Sequence, residues 1–265
     1  MYPYLGTFIF PLYTYGVFLS LAFFLAIFLA MHHGPKVGIP SETVLDFAIW
    51  FMVSSMVGAR VLFILLYPNQ FPTWISWFKI NEGGLVFFGG FIATTFMVFW
   101  YAYRKAIDLR DLGDMIAPSL ALGQLLGRVG CFMNGCCYGR KTDSIFGVVF
   151  PNITGHAARH PTQLYEAAMC CLLMLGSAWL LRKRARGEKI FPGAAWGFYL
   201  SGYAVFRFLI EFVRDDDRGG FFTPLHLSVS QIIGIIAAIF AVSWLVYCWK
   251  KWEYPLKETP GDKAL

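Results

Sequence analysis

Seven stretches of this 265-residue chain are so long and so apolar that lipid is the solvent that suits them. They run over 14–31, 44–66, 85–103, 112–132, 162–181, 194–212 and 225–249. Crossing the hydrocarbon of a bilayer takes roughly 20 mostly apolar residues, about 17 to 25 in practice. Backbone polar groups in lipid must find partners within their own segment. Long runs without strict alternation do so as helices, not as barrel strands. Composition agrees, since 57% of residues are hydrophobic and 14% charged, against about a quarter charged in soluble domains. A soluble fold with an oversized core is thereby excluded. The expectation is an all-α integral membrane protein of about seven transmembrane helices. The fourth stretch, interrupted by Pro118 and several glycines, is the least regular. The first has no Lys or Arg ahead of it and ends on His32-His33-Gly34, so it reads as a span and not as a cleaved signal peptide.

Cationic residues outside the spans set the orientation. With the N-terminus outside, the inner side holds Lys36, the group Arg104, Lys105 and Arg110, the run from Arg182 to Lys189, and four lysines from Lys250 onward. That is 13 Lys and Arg, against 6 outside (Lys79, Arg140, Lys141, Arg159, Arg214 and Arg218). The N-terminus is expected outside and the C-terminus in the cytoplasm. The net charge of +6 then reflects loops lying against anionic lipid and calls for no nucleic acid. One membrane domain is expected over 1–252, with an outer-face loop at 133–161 and a cytoplasmic tail at 253–265. Within that loop, 146–150 can form a short strand or re-entrant piece. The run 182–188 reads as a solvated inner turn. No internal repeat or low-complexity tract occurs.

A charge at the middle of a spanning helix costs about 2.5 to 3.5 kcal/mol on insertion scales, so each one is a functional candidate. The spans hold Arg60, Arg128, Glu166, Arg207 and Glu211, and the direction of each segment puts all five in the outer half of the bilayer. Asp46 and Asp114 sit toward cytoplasmic edges. Arg207, Glu211 and Arg214, spaced 4 and 3 apart, are expected on one helical face. An internal ion pair that eases insertion accounts for Arg207 with Glu211 but assigns no partner to Arg128 or Arg60. Counting Arg214, four arginines face two glutamates. The missing member is an anion, and a guanidinium grips phosphate in a bidentate way. A phospholipid-headgroup site open to the outer leaflet follows. Glycines flank it at 83, 84, 89 and 90 and at 123, 127, 130, 135 and 139. They serve either tight helix packing or a backbone wall against a ligand.

Residues 127–139 read G-R-V-G-C-F-M-N-G-C-C-Y-G, 160–166 read H-P-T-Q-L-Y-E, 206–214 read F-R-F-L-I-E-F-V-R and 83–90 read G-G-L-V-F-F-G-G. Together with Tyr15-Gly16 and the stretch 58–67 around Arg60, these segments resemble the prolipoprotein diacylglyceryl transferase family, in order and over most of the chain. The resemblance implies a seven-helix enzyme of the bacterial cytoplasmic (inner) membrane. Such an enzyme moves the diacylglyceryl group of phosphatidylglycerol to the cysteine thiol of a prolipoprotein signal peptide. A thioether forms, glycerol phosphate leaves, and no cofactor takes part. In that role Arg128 and Arg207 hold the phosphate and Glu211 orients Arg207. Asn134, Gly139, Tyr15, Tyr165 and Glu166 line the lipid site, with Arg60 and Arg214 among the substrate-binding arginines.

Three positions depart from the family pattern. Its His in the glycine-bracketed turn is Phe88, its signature Asn is Cys131 and its signature Glu is Cys136. Attack by a thiol needs an acceptor for the thiol proton. His160, six residues before Glu166 at the same face, is the candidate base, the bland alternative being a loop-anchoring hydrogen bond. Cys170, Cys171 and Cys248 lie in or at the ends of spans and read as small apolar residues. Cys131, Cys136 and Cys137 read as a disulfide or buried thiols, or as a nucleophile beside Arg128. Their Cys-x4-Cys-Cys spacing is not that of a common zinc knuckle and no His adjoins them, so no metal is expected. A paralogue with another acceptor, or a non-catalytic binder of phospholipid or signal peptide, is the alternative to the transferase. A retinal protein is excluded because 225–249 contains no Lys.

Overall fold

The computed structural model describes residues 4–7, 11–70, 77, 84–151, 157–215, 221–222 and 227–257. Among the described residues seven α-helices carry the fold: α1 (Thr14–His33), α2 (Ser41–Leu66), α3 (Phe87–Lys105), α4 (Leu109–Asn134), α5 (Thr162–Ala185), α6 (Ala194–Ile210) and α7 (Val229–Lys257). Three short antiparallel ribbons join β1 (Tyr4–Thr7) to β2 (Pro11–Tyr13), β3 (Val148–Val149) to β4 (Ala158–Arg159), and β5 (Phe221–Phe222) to β6 (Leu227–Ser228). The β3 strand is the short strand expected in 146–150. Among the described residues, five helices are long and apolar enough to cross a membrane; α3, at 19 residues, and the shorter apolar α6, at 17, are not among them. The protein is an all-helical membrane protein.

Its packing is that of a chain dissolved in lipid. Helix α1 buries Thr14, Ala22 and Ala30 and turns Phe24 and Phe28 outward. Small residues let backbones approach, while large apolar ones meet a solvent as apolar as themselves. The glycines of the third stretch serve this purpose. A Cβ on Gly58 would lie 2.5 Å from the Gly89 carbonyl oxygen, and one on Gly89 would lie 2.3 Å from that of Gly58, so α2 and α3 touch backbone to backbone. Gly83 lies outside the described residues.

Helix α4 sits at the centre, against α1, α5 and α6. Pro118 does not break it. Asp108 caps its start by accepting the Arg110 amide at 2.9 Å, and Gly135, at φ +71°, ends it. Near its start Asp114, 1% exposed, accepts the amides of Gly193 (2.8 Å) and Trp196 (3.0 Å) at the head of α6. It also pairs with Arg184 at 2.9 Å, and Arg184 reaches Asp111 at 2.5 Å. The run 182–188 is therefore not simply a solvated turn. Helix α5 continues to Ala185, and Arg184 points into the bundle because two carboxylates on α4 wait there. At the other terminus, α7 continues to Lys257, past residue 252.

Candidate functional site

At the opposite end of α4 the interior charges meet. Glu166, on the second turn of α5, is 6% exposed and takes Arg128 Nη2 at 2.6 Å on one oxygen and Arg214 Nη1 on the other. Arg214 is 2% exposed and Arg128 21%. Arg128 thus has a carboxylate partner that the sequence did not assign. Arg207 donates to Glu211 at 2.9 Å and to Ser230 of α7 at 2.7 Å. Tyr203, one turn before Arg207 on α6, lies within electrostatic range of Arg207, Arg128 and Glu166.

The expected shared face of Arg207, Glu211 and Arg214 is only half realised. Helix α6 ends at Ile210, Glu211 is its C-cap, and the chain turns before Arg214. Arg214 then forms an antiparallel bridge with Gly139 and turns its guanidinium to Glu166. Arg60 is placed elsewhere. Buried in α2, it donates from Nε to the Trp77 carbonyl at 2.9 Å and from Nη1 to that of Gly84 at 3.1 Å, which braces the segment leading into α3. Phe88 is 58% exposed and meets Phe87 edge-on.

Three loop segments interlock over the charges. Gly139 donates its amide to the His160 carbonyl at 2.8 Å, and Arg140 donates its own to the Val213 carbonyl at 2.9 Å. A Cβ on Gly139 would lie 2.6 Å from the Val213 oxygen and 2.9 Å from His160 Cβ. Gly139 is thus a three-way junction, and its packing role is independent of any lipid. His160 is held by its backbone amide and carbonyl, while its ring Nδ1 meets the Tyr165 hydroxyl at 3.2 Å. By contrast, nothing lies within 4 Å of a Cβ built on Gly123 or Gly127, although both are partly buried. Open space faces α4 over the turn and a half before Arg128.

Cys131 stands in the last turn of α4, and Cys136 and Cys137 follow the Gly135 cap. All six cysteines are thiols and no disulfide joins them, so of the readings for Cys131, Cys136 and Cys137 the disulfide is not made and free thiols stand in its place. The structure instead brings the sulfurs of Cys131, Cys136 and Cys137 within 4.8 Å of one another. Cys137 has φ +64°, a left-handed conformation that costs a residue with a Cβ about 1–2 kcal/mol. The α5 N-terminus holds it there: Thr162 Oγ1 donates to the Cys137 carbonyl at 2.8 Å and Gln163 Nε2 to that of Cys136 at 2.6 Å. The Cys136 thiol donates to the Cys131 carbonyl at 3.6 Å, and Tyr15 of α1 lies within electrostatic range of all three thiols and of Arg128. A hydrogen bond from Cys131 lowers the Cys136 thiol's pKa, but hydrogen bonding to Cys137 and burial outweigh it and leave that thiol raised.

Gln163, Tyr203 and Ser230 are the site residues that the sequence reading passed over. Gln163 and Ser230 are polar residues in apolar helices, which was the available signal. Gln163 also stood inside the quoted H-P-T-Q-L-Y-E segment.

A family model described as prolipoprotein diacylglyceryl transferase matches residues 3–247. The phosphatidylglycerol–prolipoprotein diacylglyceryl transferase of Phenylobacterium zucineum is 34% identical over 250 residues, covering 88% of this chain and 83% of the relative. That of Vibrio atlanticus is 33% identical over 252 residues, covering 91% and 88%. That of Clostridium tetani is 30% identical over 234 residues, covering 87% and 91%.

Proposed function

The chain belongs to the prolipoprotein diacylglyceryl transferase family, and from that premise we propose how its own residues carry out the transfer. The reaction moves the diacylglyceryl group of phosphatidylglycerol to the cysteine thiol of a prolipoprotein signal peptide. The acceptor sulfur attacks the glyceryl carbon as the carbon–oxygen bond to phosphate breaks. The oxygen's electron pair leaves with glycerol phosphate, and preorganised cations stabilise the charge that develops there.

The observation that carries this reading is Arg128. It is fixed by Glu166 through one nitrogen, still a fifth exposed, and adjacent to the open face of Gly123 and Gly127. A phosphate beside that face meets a guanidinium whose remaining donors are oriented in advance. Arg207, aimed by Glu211 and Ser230, supplies the second cation. Glu166 and Arg214 act behind Arg128, while Tyr15, Asn134 and Tyr165 line the lipid site. Arg60 shapes the turn before Phe88. His160, its Nδ1 on the Tyr165 hydroxyl, takes the thiol proton in place of the family His.

In this reading seven helices span the bacterial cytoplasmic membrane as one domain. The Arg128 end faces outward and the Asp114 end the cytoplasm, in keeping with 13 cationic loop residues against 6. The test uses purified protein in phosphatidylglycerol micelles with a lipoprotein signal peptide, and glycerol phosphate release is measured. Arg128→Lys and Arg207→Lys should each lower release at least about tenfold, since a point charge cannot reproduce the planar fork, and Glu211→Gln somewhat less. Unchanged release in both Lys variants would refute the headgroup site. Phe88, which has no titratable group, favours one second reading, a non-catalytic binder. Lipid retained by the wild type with no release would establish it.

A further inference from the structure

We propose that Cys131, Cys136 and Cys137 form a three-thiolate site for a thiophilic metal ion, Zn²⁺ foremost. Its fourth coordination position takes the acceptor cysteine as a thiolate. The metal site stands on the cysteines alone, and the role of the open position rests on the transferase reading above.

The geometry is close to what such an ion needs. Zinc–sulfur bonds are about 2.3 Å, so three thiolates around one ion lie about 3.8–4.0 Å apart. Here the three sulfurs already lie within 4.8 Å, and side-chain rotation closes the difference. The backbone is set before any ion binds. The Cys136 amide is held on the Cys131 carbonyl at 3.2 Å, and Gln163 and Thr162 hold the carbonyls of Cys136 and Cys137 from α5. A single disulfide would use two of these thiols and leave the third, whereas one ion uses all three.

The donor set chooses the ion. Three sulfurs, with no imidazole or carboxylate in the group, select soft cations and disfavour Mg²⁺ or Ca²⁺. Zinc prefers four ligands, and a site with three protein ligands keeps one position for water or substrate. Arg128, less than one helical turn before Cys131, offsets the negative charge of the thiolates.

A thiol that binds such an ion is deprotonated outright. The acceptor thiol gives its proton to His160 and thence to water. The metal-held sulfur then forms the carbon–sulfur bond while the carbon–oxygen bond breaks, and the ion stays divalent throughout. Phe88 can contribute nothing to this deprotonation, and the Cys cluster supplies it.

The test is full-length protein purified in detergent with a non-thiol reductant and no chelator. Metal content is measured, and Co²⁺ is added to chelated protein to read its thiolate charge-transfer and ligand-field bands. We expect about one Zn²⁺ per chain and Co²⁺ bands typical of thiolate ligation. Both should be lost in the Cys131→Ser/Cys136→Ser double variant. Cys137→Gly is the folding control, because glycine adopts the left-handed turn without penalty. Chelated, it should match the melting temperature of the chelated wild type, yet bind Co²⁺ at least about tenfold more weakly. Adding a signal peptide with its Cys, but not one with Ser in its place, should shift the Co²⁺ bands.

Wild-type protein that holds no Zn²⁺ and gives no Co²⁺ bands would overturn the site. Bands indifferent to the Cys peptide would overturn the open position. These readouts need no turnover. Intact bands and a peptide-induced shift without glycerol phosphate release would therefore fault the transferase reading and leave the metal site standing. Undiminished release in the double Ser variant would overturn the activation step alone.

Discussion

Glu166 is the residue on which the interior charges of the candidate site depend. It serves two arginines at once, and one of them, Arg214, is almost fully buried. Removing one partner of a buried ion pair leaves the other charge uncompensated, at about 3–5 kcal/mol. Glu166→Ala should therefore lower the melting temperature in detergent by several degrees. Glu166→Gln should fall between it and the wild type, since the amide keeps one acceptor. A melting temperature unchanged in Glu166→Ala would mean that the carboxylate does not hold the site together. His160 poses a narrower question. Its loop is anchored by its backbone amide and carbonyl, so His160→Ala should leave folding intact while glycerol phosphate release falls at least about tenfold, within the usual range for a lost general base. Full release in that variant would remove His160 from the chemistry.

Helices α2 and α4 show that glycine in a membrane helix has two separate uses. At Gly58 a Cβ meets the Gly89 carbonyl at 2.5 Å and Ala93 Cβ at 2.3 Å, and neither can yield unless the helices part. Gly58→Ala should cost about 1–3 kcal/mol, as overpacking does, visible as a lower unfolding temperature. Gly127 faces open space. Gly127→Leu should keep the unfolding temperature near the wild-type value and reduce phosphatidylglycerol turnover, because the added side chain occupies the face beside Arg128. Should Gly127→Leu lose stability as Gly58→Ala does, that face packs against protein and is no lipid wall. Sequence alone left Gly127, and Gly89 opposite Gly58, undecided between packing and wall. The choice depends on what stands opposite, and no spacing within one helix records that.

For the molecule as a whole, orientation is the property most open to direct measurement. In intact cells an impermeant thiol reagent should label Ser144→Cys, exposed in the loop after α4, and spare Arg186→Cys, exposed after α5. The reverse pattern would invert the orientation. How much could be read in advance follows from physics. Apolar length is a local property, so the helical membrane fold and the approximate helix bounds were legible in the chain, as were the motifs that carry the family. The interior charges at Arg128, Glu166, Arg207 and Glu211 were legible too, because lipid makes any charge conspicuous. Partners were not. Arg214 was placed on a helix that stops at Ile210, and it crosses to Glu166 because a carboxylate from α5 is buried there. Arg60 turned to the Trp77 and Gly84 carbonyls, and Arg184 was drawn inward to Asp111 and Asp114. Cys-x4-Cys-Cys has no familiar metal spacing, yet a left-handed turn at Cys137, imposed by Thr162 and Gln163 from another helix, gathers the three sulfurs. Sequence determined which segments enter the lipid and which charges go with them, since that depends on each segment's own transfer free energy. Only tertiary structure decided which charge meets which and where the thiols converge, since those depend on distances between segments far apart in the chain.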